Sequence, residues 1–178
     1  ILMTENESQK AVHYGRNYSA GEFGHMTVIK DGPLCSCGNT GCLEALISTD
    51  KLVYHYNPGL KQQNSRPELE GEWLKLLADA RKGEERARQI IGEVGEYLGM
   101  GLSNLVNLLN PDEIILAGDF TAAADLLLPL LREEVDRRAL RIPGRELVIS
   151  MTEYGDQVGA VGAATLVLQD LFYFQEGE

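Results

Sequence analysis

Residues 20–44 read AGEFGHMTVIKDGPLCSCGNTGCLE, and no other stretch of the 178-residue chain constrains its architecture as strongly. The stretch holds one histidine, His25, and the three cysteines of the chain, Cys35, Cys37 and Cys42. Three thiolates and one imidazole are a common tetrahedral donor set for structural zinc, and together they leave no position for a catalytic water. Two glycines between the second and third cysteines would let the loop wrap around the ion. The pattern therefore predicts a closed, structural zinc site.

The alternative is a set of three free buried thiols beside a core histidine. The spacing C-x-C-x4-C, with two glycines inside it, makes this the weaker interpretation. An odd number of cysteines in one short loop also argues against a disulfide framework and for a reducing compartment. We therefore expect a cytoplasmic protein.

The same stretch resembles the signature of the ROK family of repressors and sugar kinases, G-E-x-G-H followed by C-x-C-G-x-x-G-C-x-E, at every fixed position. A weaker resemblance continues over residues 104–112 and 159–164. It implies an α/β fold of the ribonuclease-H-like, actin-like ATPase type, of which this chain would be the second domain with a zinc-binding loop. Residues 1–178 would then be the C-terminal sugar-binding domain of a longer protein, and residues 20–48 its zinc-binding segment. The family's zinc ligands correspond to His25, Cys35, Cys37 and Cys42.

The resemblance also implies a sugar site beside the metal. Family members contact sugar hydroxyls through residues that correspond to Glu22, His25 and Glu44. A carboxylate accepts hydroxyl hydrogen bonds, and an imidazole bound to zinc through one nitrogen presents the other to a ligand. From the residues alone, Glu22 could equally be a solvent-facing turn residue, and Glu44 a favourable charge at a helix N-terminus.

A second family feature distinguishes kinases from repressors. Kinases have a glycine-rich turn after the strand that corresponds to residues 114–116, where the backbone approaches nucleotide phosphates. Here the turn reads Ala117-Gly118-Asp119, so only Gly118 would contact phosphate if the parent were an ATP- and Mg2+-dependent kinase. Asp119 would repel phosphate unless a metal intervened, although a cap of the following helix is its simpler role. This turn favours the sugar-sensing domain of a repressor over the C-terminal half of a hexose kinase.

The family's catalytic aspartate would precede Ile1. We therefore expect no catalytic residue in the chain, and no kinase activity from the chain by itself.

Apolar periodicity outside the signature predicts alternating helices and strands, as in α/β folds. The predicted strands are residues 11–14, 26–29, 113–117 (of the buried type) and 147–151. The predicted helices are residues 42–47, 50–56, 72–81, 87–109 and 155–172, with an exposed loop at 59–71 and Pro129 in the first turn of a helix. Segment 87–109 contains four glycines, each costing about 1 kcal/mol relative to alanine. Such glycines predict a central helix that another backbone approaches closely.

Composition narrows the possible partners. The chain carries 16 Lys and Arg against 27 Asp and Glu, a net charge of −11. Five arginines between residues 132 and 145 alternate with acids, which is typical of a solvated helix face, so DNA would be bound only by a domain upstream. No apolar run approaches the length of about 18–20 residues that a membrane span needs.

We expect a sugar or amino sugar as the ligand. We also expect a homo-oligomer in which a neighbouring chain covers an apolar C-terminal patch, formed by Leu168, Leu171, Phe172, Tyr173 and Phe174.

Overall fold

The computed structural model describes residues 2–6, 9–60 and 65–173. Two strands, β1 (Leu2–Asn6) and β2 (Gln9–Val12), form an antiparallel pair. Two later strands, β3 (Glu113–Leu116) and β4 (Val148–Met151), form a parallel pair. The helices are α1 (Leu43–Ile47), α2 (Thr49–Tyr56), α3 (Arg66–Arg81), α4 (Glu85–Leu109), α5 (Ala124–Arg138), α6 (Arg141–Glu146) and α7 (Val158–Tyr173). Short 3-10 helices occupy Phe23–His25, Gly118–Ala123 and Gly155–Gln157.

The core is built around α4, as the periodicity predicts. This helix contacts α1, α2, α3 and α5, with α5 as its most extensive neighbour. The Glu84 carboxylate caps its N-terminus by accepting the Ala87 N–H at 2.6 Å, and the left-handed Asn110 ends it before Pro111. The side chains that are nearly excluded from solvent include Leu43, Leu76, Leu77, Ile90, Leu102, Leu127 and Leu131.

Two glycines of α4 admit α5 at close range. A Cβ at Gly95 would lie 2.8 Å from the Leu130 Cβ, and a Cβ at Gly99 would overlap the Glu134 side chain. The Ser103 hydroxyl, which is also buried at this crossing, donates to the Gly99 carbonyl at 2.7 Å. The predicted close approach is therefore confirmed at Gly95 and Gly99, whereas a Cβ at Gly92 would meet nothing within 4 Å.

We expect Gly99→Ala to lower the free energy of unfolding by about 1–3 kcal/mol, because the added methyl must push Glu134 and α5 outward. Gly92→Ala on the same helix is the matched control, since no atom lies within 4 Å of a Cβ there. It should raise stability by about 0.5–1 kcal/mol through helix propensity. Urea denaturation of both variants measures the difference, and equal effects would contradict the close packing.

The parallel sheet is covered on one face only. Ile114, Leu116, Ile149 and Met151 pack against the core, whereas Ile115 on the opposite face is 60% exposed. The prediction of a strand is confirmed, but the prediction that it is a buried one is wrong for the described residues. The physical reason is that helix α5 covers a single face of this sheet.

Three local predictions are wrong. Residues 26–29 form no strand but a single bridge between Thr27 and Cys42. Helix α3 begins at Arg66 inside the predicted loop, because Ser65 and Glu68 form a capping box in which the Ser65 N–H donates to the Glu68 carboxylate at 2.7 Å. Pro129 lies inside α5 rather than in a first turn.

Helix α7 follows the predicted final helix closely. Its residues Leu166, Val167 and Leu168 are 40%, 60% and 53% exposed. The other residues of the expected apolar patch lie outside the residues whose side chains are described. Among the described helices, none combines the length and apolar character needed to cross a membrane.

Candidate functional site

The backbone of residues 20–48 closes into a compact loop. The Gly41 N–H donates to the Pro33 carbonyl and the Val28 N–H donates to the Gly41 carbonyl, both at 2.9 Å. Gly41 has φ +72°, and a Cβ there would overlap the Ile29 carbonyl. Only glycine can fill this position, and its contacts bring the cysteine segment against the His25 segment.

Four donor atoms converge inside this loop. The atoms of His25, Cys35, Cys37 and Cys42 all lie within 4.8 Å of one another. The His25 Nδ1 is 3.6 Å from the Cys35 Sγ, and the sulfurs of Cys37 and Cys42 are 3.7 Å apart. A regular tetrahedron around zinc would space a nitrogen and a sulfur about 3.6 Å apart and two sulfurs about 3.8 Å apart. The donor set and these two spacings fit a closed zinc site.

The acidities of Cys35, Cys42 and His25 indicate the charge that the site would attract. The backbone N–H of Cys37 stabilises the thiolate of Cys35 and lowers the pKa of that thiol. Burial, followed by the neighbouring sulfurs, raises the pKa of Cys42. The Cys35 sulfur, together with the carboxylates of Glu44 and Glu22, raises the pKa of His25. Three thiolates in so small a space would repel one another, and a divalent cation between them would remove that repulsion.

The three predicted sugar contacts lie together on the outer side of this cluster. The ring of His25 turns Nδ1 towards Cys35 and Nε2 towards the Glu22 carboxylate, at 3.8 Å. Glu44 is in the first turn of α1 and exposed, and its charge acts on His25 together with that of Glu22. Glu22 is exposed too. Two exposed carboxylates therefore act on the half-buried ring of His25.

We expect Gly41→Ala to abolish metal binding and to lower the melting temperature, because its Cβ cannot coexist with the Ile29 carbonyl. Gly38→Ala is the control. Gly38 also has a positive φ, of +89°, but no atom lies within 4 Å of its added Cβ, so only about 1–2 kcal/mol of backbone strain is expected. Atomic emission and thermal denaturation of the purified chain measure both properties. A Gly41→Ala protein with wild-type metal content would contradict the geometry.

The turn after β3 forms a second polar centre. Gly118 has φ +82° with open space around it. The Asp119 carboxylate accepts hydrogen bonds from the Thr49 hydroxyl at 2.6 Å and from the Arg66 guanidinium at 2.8 Å. The backbone carbonyl of Asp119 accepts a hydrogen bond from the Trp73 indole N–H at 3.0 Å. Asp119 lies inside the 3-10 helix Gly118–Ala123, whose N-cap is Ala117, and the N-cap of α5 is Ala123, so the prediction that Asp119 is a helix cap is wrong. Its carboxylate binds Thr49 and Arg66 instead.

Sequence reasoning missed Thr49 and Arg66, since nothing near Asp119 in the sequence points to partners 70 and 53 residues away. It also missed Ser36, whose hydroxyl donates to the Glu44 carboxylate at 3.3 Å. The Ser-x-x-Glu spacing at residues 65–68 and Pro67 in the first turn are signals that could have placed Arg66 on a helix.

Comparison with known proteins places this loop and its surrounding helices in one family. The model of the ROK family matches residues 8–170. The N-acetylglucosamine repressor of Escherichia coli O6:H1 is 35% identical over 162 residues, which are 90% of this chain and 40% of the repressor. The xylose repressor of Caldicellulosiruptor bescii is 31% identical over 163 residues, or 88% of this chain and 41% of that protein.

A solved structure supports the fold. The ROK family glucokinase from Streptomyces griseus, determined with glucose and AMPPNP, is similar with a TM-score of 0.66 and 29% identity, over 86% of this chain and 53% of that one. The chain thus has the actin-like ATPase type of α/β fold and spans about half the length of this glucokinase, and less of the repressors. With a family model matched over residues 8–170, the chain belongs to the ROK family.

Proposed function

We propose that the chain is the sugar-sensing domain of a ROK-type transcriptional repressor, built around a structural zinc site. The observation that carries this proposal is the orientation of His25. One ring nitrogen faces the cysteines and the other faces Glu22, so the metal cluster and the sugar contacts share a single side chain.

In this proposal residues 20–48 form the zinc-binding segment, with His25, Cys35, Cys37 and Cys42 as ligands. A bound zinc ion supplies a cross-link with no open coordination position, and hence no catalytic water. Side chains next to the loop connect it to the core. Cys42 precedes α1, and Leu43 of that helix packs in the main core, so the loop and the core hold each other in register.

The sugar is held by Glu22, Glu44 and His25. Each carboxylate accepts hydrogen bonds from sugar hydroxyls, and His25, with Nδ1 committed to the metal, donates its Nε2 hydrogen. Paired hydroxyl contacts of this kind select for polyols, and two relatives are named as repressors for an amino sugar, N-acetylglucosamine, and a pentose, xylose. We therefore propose a sugar or amino sugar as the ligand class.

The turn after β3 favours a repressor over a kinase. Asp119 places a carboxylate where a phosphate-binding turn needs backbone N–H groups and space, and Arg66 and Thr49 hold it there. The second candidate is an ATP- and Mg2+-dependent sugar kinase. It is favoured by Gly118, which is left-handed, has open space around it and lies at the carboxyl end of a parallel strand. Ligands of α/β proteins bind at this edge of the sheet. In either case the chain itself supplies no catalytic residue.

The whole protein would act through two conformations. Sugar binding shifts their equilibrium only if one conformation binds the sugar more tightly. We propose that DNA is contacted by a region outside this chain, and that the exposed Leu166–Leu168 segment of α7 is covered by a neighbouring chain in a homo-oligomer.

The test uses the full-length gene product with N-acetyl-D-glucosamine, D-xylose and D-glucose. Calorimetry measures binding, and mass spectrometry detects sugar phosphate after incubation with ATP and Mg2+. We expect one sugar to bind and none to be phosphorylated. An ATP-dependent sugar phosphate would replace the repressor with the kinase, and the absence of binding by all three sugars would overturn the proposed sugar site for these ligands.

A further inference from the structure

The Glu44 carboxylate lies between two residues of the metal-binding loop, Ser36 and Gly24. The Ser36 hydroxyl donates to its Oε1 at 3.3 Å. On the other side, a Cβ at Gly24 would lie 3.3 Å from the Glu44 Cβ and 3.5 Å from its Oε2. The two oxygens therefore have different surroundings: a hydroxyl donor reaches one, and a glycine leaves space beside the other.

The backbone around Ser36 is fixed by its neighbours in the chain. It lies between two predicted metal ligands, Cys35 and Cys37. The Cys35 N–H donates to the Asn39 carbonyl at 2.8 Å, and the Gly38 N–H donates to the Cys35 carbonyl at 3.0 Å. Serine has a single side-chain rotor that carries its oxygen, whereas an exposed glutamate has three. A bond between them thus restricts Glu44 at little cost from Ser36.

The Ser36 hydroxyl has one competing partner. The Cys35 sulfur lies 3.9 Å from it, at the far limit for a weak sulfur hydrogen bond. The Glu44 oxygen lies closer, at 3.3 Å, and a carboxylate oxygen accepts a stronger hydrogen bond than a sulfur does. The hydroxyl therefore favours Glu44.

We infer that Ser36 is a positioning residue for the sugar site, one that orients the Glu44 carboxylate so that Oε2 is presented to a ligand hydroxyl. This inference rests on the proposed sugar-binding role of Glu44. Ordering a carboxylate before binding lowers the entropy lost when the sugar binds. Ser36 acts on sugar affinity through Glu44, and it is not one of the four residues whose donor atoms converge in the metal cluster.

The test compares four variants of the full-length gene product by calorimetry with the sugar that binds best among N-acetyl-D-glucosamine, D-xylose and D-glucose. Ser36→Ala should raise the dissociation constant about 3- to 10-fold. Ser36→Thr keeps the hydroxyl and should stay within about twofold of the wild type. Thr40→Ala removes another exposed hydroxyl of the same loop, one that makes no hydrogen bond to Glu44 within the described segment, and should have no effect. Glu44→Gln reports on the proposed function itself.

Zinc content and melting temperature of every variant separate positioning from folding. The inference is supported if Ser36→Ala binds sugar more weakly but keeps the zinc content and melting temperature of the wild type, and if Ser36→Thr restores sugar binding. Unchanged affinity in Ser36→Ala while Glu44→Gln binds poorly overturns the inference and leaves the proposed function standing. Loss of zinc in Ser36→Ala also overturns it, since Ser36 would then act through the metal. If Glu44→Gln binds as well as the wild type, or no sugar binds at all, the proposed function fails and the inference with it.

Discussion

Replacing Cys42 with serine should remove zinc from the chain and with it the stability that the metal contributes. Cys42 is fully buried, and the next residue, Leu43, is a core side chain. Loss of the fourth ligand therefore disturbs the start of α1 as well as the loop. A metal present at 1,000 times its dissociation constant contributes about 4 kcal/mol to folding, and the loss should be of that order. Differential scanning calorimetry and atomic emission measure both effects.

A chelator provides the control for this variant. Wild-type protein treated with chelator should fall to the melting temperature of Cys42→Ser, whereas the variant itself should not respond. Restoring zinc should rescue only the wild type. A chelator that lowers both melting temperatures equally, or neither, would show that the four residues do not form a stabilising metal site.

Replacing Glu44 with glutamine should weaken sugar binding by about 10- to 100-fold. The substitution keeps the size of the side chain but removes the charge that strengthens hydrogen bonds from sugar hydroxyls. Glu44 is exposed and is not a member of the metal cluster, so zinc content and melting temperature should remain those of the wild type. Isothermal titration of the full-length gene product measures the affinity.

Glu133→Gln is the matched control, because Glu133 is an exposed glutamate on α5 that belongs to neither the metal cluster nor the predicted sugar site. It should bind sugar like the wild type. If Glu44→Gln and Glu133→Gln behave alike, Glu44 is only a favourable charge at the start of α1, the alternative that its sequence position left open.

The metal cluster could be predicted from sequence because its ligands are close together in the chain. The spacing of Cys35, Cys37 and Cys42 and the glycines between them limit how the loop can close, and His25 is only ten residues from Cys35. Element types were predictable where the apolar period is long, as in α4. Hydrophobic periodicity reports burial directly, and α4 has buried residues along its whole length.

Contacts between distant segments could not be predicted. The partners of Asp119 come from the starts of α2 and α3, and their meeting depends on how those helices pack. The exposed face of β3 was missed for a related reason, because an apolar strand has the same sequence whether one or both of its faces are covered. Ser36 was missed because a serine at a variable position of a pattern has no signal until a carboxylate is placed beside it.

The most direct measurement is sugar binding by the full-length gene product before and after zinc removal. If residues 20–48 form a metal-ordered sugar site, calorimetry should detect binding of one sugar to the zinc-loaded protein. The affinity should be lost on chelation and restored when zinc is added back. Sugar affinity that is unchanged in a zinc-free protein would contradict a site in which His25 serves both metal and ligand.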